Sequence, residues 1–172
     1  MKPTCAVVTV FLPFIAFTTS LSDAHPLISS PLLLQLAATE PVNKSINRIS
    51  FKTIVKGVRS GFRESSQTAI QTQAQWLDLW RKHTSISTNP PPPPTINFDK
   101  EIVAAVFLGE KPTGGYAVEI IAAELTDGSL NVFFQETAPT PGAIVTQSVT
   151  QPFDIVRIEV NGIGTVSFRR LP

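Results

Sequence analysis

Residues 101–108 read EIVAAVFL, an acid followed by an unbroken apolar run. A strand with one wet face alternates apolar and polar residues, and this stretch does not. A continuous apolar run of this length is expected of a central strand covered on both faces. The chain must therefore supply a sheet and something to lay against it.

A helix that can serve as cover is legible upstream, from about Gln73 to His83. Thr72, with Gln75 three residues later, resembles a capping box, in which each end satisfies an orphan backbone donor. Trp76, Trp80 and His83 fall at i, i+4 and i+7 and share one face, which Leu77 and Leu79 widen. Two tryptophans on one face can form a stacking platform for a ligand. The plainer reading, which we adopt, is a helix laid on a sheet by its aromatic side. His83 has no second histidine nearby and reads as a capping or surface residue. Five consecutive prolines follow, Pro90–Pro94, and these must be extended. Such runs dock in aromatic grooves. Here a stiff strut leading from the helix back to the sheet accounts for them.

The remaining pattern is β. Ile49, Phe51, Thr53 and Val55 alternate with polar residues and give a first strand at about 48–57, and the segment 57–71 reads as a polar connection. Tyr116–Ala123 alternates, Asp127-Gly128 is a hairpin signal, and Leu130–Gln135 is the next strand. Residues 137–152 form a long loop. Phe153–Val160 alternates again, Asn161-Gly162 is a second hairpin signal, and Thr165–Arg169 closes the chain. The expected fold is α+β: an antiparallel sheet of five to six strands, with one packed helix between the first and second strands.

Composition narrows the function. A net charge of +1 provides no field for nucleic acid or an anionic membrane. The N-terminus has Lys2, an apolar run from Cys5 to Phe17, and small residues at Ser22 and Ala24 before His25. This reads as a secretory signal peptide over 1–24, with an uncleaved membrane anchor as the alternative. Residues 25–47 are a spacer and 48–172 the domain. Cleavage removes Cys5, the single cysteine, and with it any thiol chemistry. Two histidines make no metal cluster, and no nucleotide or nucleophile-elbow motif occurs. Glu101, Glu110 and Glu119 are scattered, and Ser148 and Ser167 lack a histidine partner. We expect no enzyme, no cofactor and no metal.

What stands out is a pair of loops. Residues 109–116 read GEKPTGGY, and 139–153 end in Gln151-Pro152-Phe153. Counting strand directions along the meander puts both loops at one end of the sheet. Pro112 pre-orders the first loop, and Gly114 and Gly115 permit close backbone approach. Tyr116 and Phe153 offer apolar area of the kind that anchors contacts, although both rings also suit a core. The candidate partner-binding residues are Lys111, Pro112, Thr113, Gly114, Gly115, Tyr116, Gln151, Pro152 and Phe153.

The stretches FDKEIVAAVFLGEKPTGGYAVEI and TAPTPGAIVTQSVTQPFDIVRI, with WLDLWRKH before them, resemble the C-terminal domain of the PrcB-type protease-complex subunits over about 48–169. The resemblance implies an exported or lipid-anchored protein that supports a surface protease complex, although this chain lacks a well-placed lipobox. The loops are also similar to those of chagasin-like protease inhibitors, which present an Asn-Pro-Thr-Thr-Gly-Tyr loop and an Arg-Pro-aromatic loop. The spacing here is shorter, and the middle glycine-rich loop has no counterpart. The expectation is an exported, non-catalytic domain that binds an envelope or secreted protease. The alternatives are a direct inhibitor using the same loops and a self-associating envelope domain.

Overall fold

The structure, a computed structural model, describes residues 47–160 and 162–172. The signal peptide read at 1–24, all but the last residue of the spacer, and Asn161 lie outside the described residues.

The described residues form eight strands and one helix: β1 (Asn47–Arg48), β2 (Phe51–Gly57), β3 (Ser65–Ile70), α1 (Gln73–His83), β4 (Glu101–Leu108), β5 (Ala117–Thr126), β6 (Ser129–Thr137), β7 (Phe153–Glu159) and β8 (Thr165–Leu171). They form two four-stranded sheets, ordered β1-β5-β6-β8 and β2-β7-β4-β3. Every residue of β4 is buried. Its even positions Ile102, Ala104, Val106 and Leu108 meet Val118, Ile120, Leu130, Val132 and Phe134 of the other sheet. Its odd positions Val103, Ala105 and Phe107 meet Trp76, Leu79 and Trp80 of α1. The unbroken apolar run thus has its cause: β4 is the middle layer of a helix–sheet–sheet stack.

The helix forms as the sequence implies. Thr72 Oγ1 accepts from the Gln75 N–H at 3.3 Å, and Gln75 Oε1 accepts from the N–H of Gln71, one residue earlier than a standard capping box, at 3.2 Å. Arg81 and Lys82 lie in the last turn, where cations oppose the negative end of the helix dipole. Leu79 is buried with the tryptophans, whereas Leu77 is exposed and does not widen the stripe.

The proline strut is held by that same helix. Trp76 Nε1 donates to the Pro94 carbonyl at 2.9 Å and Trp80 Nε1 to the Pro91 carbonyl at 2.8 Å. A proline run has free carbonyls and no internal hydrogen bonds, while a buried indole needs an acceptor. The two requirements meet, and the tryptophans are core and tether rather than an open stacking platform.

Five expectations about the sheet are corrected. There are two sheets rather than one of five to six strands, and the helix follows the third strand rather than the first. The stretch read as one strand at 48–57 changes sheets between β1 and β2, and a bulge between Thr53 and Val55 turns Val55 toward the α1 side. Part of the polar connection at 57–71 is an edge strand, β3, in register with β4 from Ser65–Leu108 to Ile70–Val103. Finally, β7 and β8 are no hairpin: β8 lies in the other sheet, parallel to β6. The Asp127-Gly128 signal does hold. Both residues have positive φ (50° and 74°) and join β5 to β6 as an I′-type turn requires.

Candidate functional site

The loops 109–116 and 138–152 meet at one end of the two-sheet stack. Each makes a crossing between sheets, from β4 to β5 and from β6 to β7. They therefore share an end, although the single-sheet meander used to infer it does not exist. Lys111 and Thr150 exchange backbone hydrogen bonds at 2.8 and 2.9 Å as an isolated antiparallel bridge. The Gly114 N–H donates to the Thr146 carbonyl at 2.9 Å, and Thr150 Oγ1 to the Thr113 carbonyl at 2.8 Å. The base is closed by Leu108 N–H to the Pro152 carbonyl at 2.9 Å and Gln151 N–H to the Val58 carbonyl at 2.8 Å. The two loops are tied to each other by three backbone bonds and the Thr150 hydroxyl.

Gly115 shows why glycine is needed. Its φ is +85°, and a Cβ there would meet Pro139 Cβ at 2.9 Å and Val145 Cγ1 at 3.0 Å. Pro112 and Gly115 are exposed; Lys111, Thr113, Gly114, Tyr116 and Gln151 are half-buried. The Lys111 ammonium sits 5.7 Å from the Tyr116 ring centroid, within cation–π range. Pro152 and Phe153 are buried. Phe153 packs edge-on against His83, centroids 4.4 Å apart, beneath α1. Its ring fills the core and is not presented at the rim.

The loop carries two apolar residues that the sequence reading did not single out. Ile144 is fully exposed and Val149 is 58% exposed. Both lie in the second loop, beyond a turn closed by Ala143 N–H to the Thr140 carbonyl at 3.0 Å. Periodicity cannot flag them, since in a loop an apolar residue gives no clue to whether it faces in or out.

Other candidates are structural. His83 Nδ1 lies 3.0 Å from Ser60 Oγ, a pair the sequence did not suggest across 23 residues. Ser60 Oγ also accepts from the Phe62 N–H at 3.3 Å. Burial holds the His83 pKa below the usual histidine range. The serine is 1% exposed, out of reach of a substrate. At the far end of β4 a concavity of about 590 Å³ is lined by Ile49, Lys100, Glu101 and Glu159. Glu101 there is already engaged by Arg157 at 3.4 Å and by the Asn97 N–H at 3.1 Å. Among the described residues no three histidine, cysteine or acidic side chains gather as a metal site, and no helix is long and apolar enough to cross a membrane.

Residues 102–159 match the family model described as PrcB C-terminal. The match runs from β4 to the end of β7 and so contains both loops, while leaving out β1–β3, α1 and β8. It supports the resemblance read from the sequence over a shorter span than 48–169. The likeness to chagasin-like inhibitors has no such support. No curated protein and no solved structure matches this chain.

Proposed function

We propose, with residues 102–159 as a PrcB C-terminal segment, that this chain is an exported, non-catalytic binding domain: an accessory or stabilising partner of an extracytoplasmic protease. The family description supports association with a protease complex, and the site proposal rests on the geometry of the two loops. The observation that carries it is the union of an ordered backbone with unburied apolar side chains. The loops 109–116 and 138–152 are bonded to each other at Lys111–Thr150, Gly114–Thr146 and Thr113–Thr150 before any partner arrives, which reduces the ordering entropy lost on contact. Ile144 and Val149 stand on that support exposed to water. Covering an aliphatic side chain of this size stabilises a complex by roughly 1.5–3 kcal/mol. Pro112, Gly115, Tyr116 and Lys111 complete the rim, and Pro152 and Phe153 support it from beneath.

The test is capture from the native envelope extract, with the bound proteins identified by mass spectrometry and assayed for proteolysis. Wild type should retain a protease in active form, and Ile144→Asp should lose it while melting at an unchanged temperature. Retention of an inactive protease would make the chain an inhibitor. Equal capture by both proteins would remove the second loop from the interface.

A further inference from the structure

Asp154 is the second residue of β7 and is 1% exposed. It shares a face with Val156 and Ile158, which fill the space between the two sheets. Its Oδ2 accepts the backbone N–H of Ile120 at 2.8 Å, across from one sheet to the other. No donor meets its buried Oδ1 in hydrogen-bonding geometry, and the adjacent Ile155 N–H gives the carboxylate only the smallest of its stabilising contacts. A buried carboxylate oxygen without a partner is destabilising, and native structures contain few of them. Such a group is retained where it does something that an apolar residue would not.

The reason Ile120 needs an acceptor from outside its sheet is local. A bulge between Ile120 and Ala122 breaks the β5–β6 ladder. On its other side β5 pairs with β1 only at Glu124 and Leu125, so nearer the loop that edge has no strand neighbour. Asp154 supplies the missing acceptor. The two residues also stand at matching places in the chain. Ile120 is the fourth residue of β5, the strand that leaves the first loop, and Asp154 the second of β7, the strand that leaves the second.

We propose that Asp154 is the positioning residue of the two-loop site, its carboxylate clamping the exit of loop 109–116 to the base of loop 138–152. The proposal rests on the reading of those loops as a binding surface, but the clamp itself is a property of the free protein. Its charge makes it adjustable. From β2, Lys56 faces it as the register partner of Asp154, and from β5, Glu119 lies beside it, with Lys56 Nζ and Glu119 Oε1 paired at 3.1 Å. From β4 the neighbour is the uncharged Val106. Burial pushes the Asp154 carboxyl above the usual carboxylate range, against the opposing pull of the Ile120 N–H, of Lys56 and, least, of the Ile155 N–H, with Glu119 adding to the rise. Protonation weakens the bond to Ile120, because a neutral carbonyl is a poorer acceptor than a carboxylate. While Asp154 stays buried, the grip on the loops therefore loosens on acidification, even as protonation relieves the burial penalty on the fold as a whole.

Amide hydrogen exchange on the isolated protein tests this. The reporters are Ile120, together with Lys111 and Gly114, whose N–H groups bond to the second loop. In Asp154→Ala all three should exchange at least roughly tenfold faster while the β4 amides stay protected, and Asp154→Asn should restore much of the protection. Faster exchange at Ile120 alone would reduce Asp154 to a local bulge cap and overturn the proposal. If Asp154→Ala does not fold, Asp154→Asn decides. After correction for intrinsic exchange, protection of Lys111 and Gly114 should fall with acidification in wild type and stay flat in the variant. Identical pH profiles would overturn it. No partner enters these measurements, so they stand whether or not a protease is captured.

Discussion

The indole N–H of Trp80 donates to the carbonyl of Pro91 at 2.8 Å, tying the helix to the proline strut that follows it. With Trp76 bonded to Pro94, the strut runs antiparallel to α1 and returns the chain to β4. An aromatic helix face and a proline run, each open to a ligand-binding reading in the sequence, here satisfy one another.

Trp80→Phe should therefore keep most of the apolar contact and lose one hydrogen bond, about 1 kcal/mol. For a domain of this size that lowers the melting temperature by about 2–4 °C. Trp76→Ala removes a fully buried ring and should lose about 3–5 kcal/mol. Thermal melts followed by tryptophan fluorescence, and by circular dichroism for Trp76→Ala, check both. A negligible change in Trp80→Phe would show that the strut is held by packing alone.

The legible parts of this fold are those where one chain segment fixes its own environment. Thr72 and Gln75 cap α1 from within four residues, Asp127-Gly128 closes its own turn, and the β4 run reports two covered faces. The illegible parts depend on a distant partner. Ser65–Ile70 has almost no apolar signal, because an edge strand takes its conformation from the strand it pairs with, here β4. Alternation tells which residues of β7 and β8 face inward, but not that the chain crosses to the other sheet between them, so Asn161-Gly162 misled. At the site, the glycines and Pro112 marked the first loop, but nothing local distinguished Phe153 as buried from Ile144 as exposed. The larger ring is core and the smaller aliphatic is exposed.

Gly115→Ala tests how tightly the loops are joined. The new Cβ would occupy a left-handed conformation and press on Pro139 and Val145. The expected loss is about 1–3 kcal/mol, much of it local. Hydrogen exchange should show Gly114 and Thr150 deprotected before the β4 amides. Unchanged protection would mean that the second loop yields freely, and that the rim is not held in advance.

His83 sets a pH dependence with a definite sign. Burial lowers its folded pKa below the ordinary 6.5, while the unfolded chain titrates near that value. Below about 6.5 the unfolded state binds a proton that the folded state refuses, so stability contributed by neutral His83 is present above that pH and lost as pH falls toward the folded pKa. His83→Gln should flatten that part of a stability–pH curve measured by urea denaturation from about pH 8 to about pH 5. A variant with the same slope as wild type would place the titrating group elsewhere.

Asp154 acts in the opposite sense and in a lower window. Its folded pKa is raised from 3.8, so between 3.8 and the folded value the unfolded state has released a proton that the folded state keeps. Stability therefore falls as pH rises through this window, and at neutral pH the protein carries the full penalty of a buried carboxylate. Asp154→Asn keeps an acceptor for the Ile120 N–H and removes the charge. It should be at least as stable as wild type at pH 7, on the order of 1 kcal/mol more, with the advantage shrinking toward acid. Urea titrations of both proteins at about pH 7 and about pH 4 decide the matter. A variant that is less stable at pH 7 and gains nothing relative to wild type with rising pH would mean that the ionised carboxylate is better compensated than its single bond to Ile120 indicates.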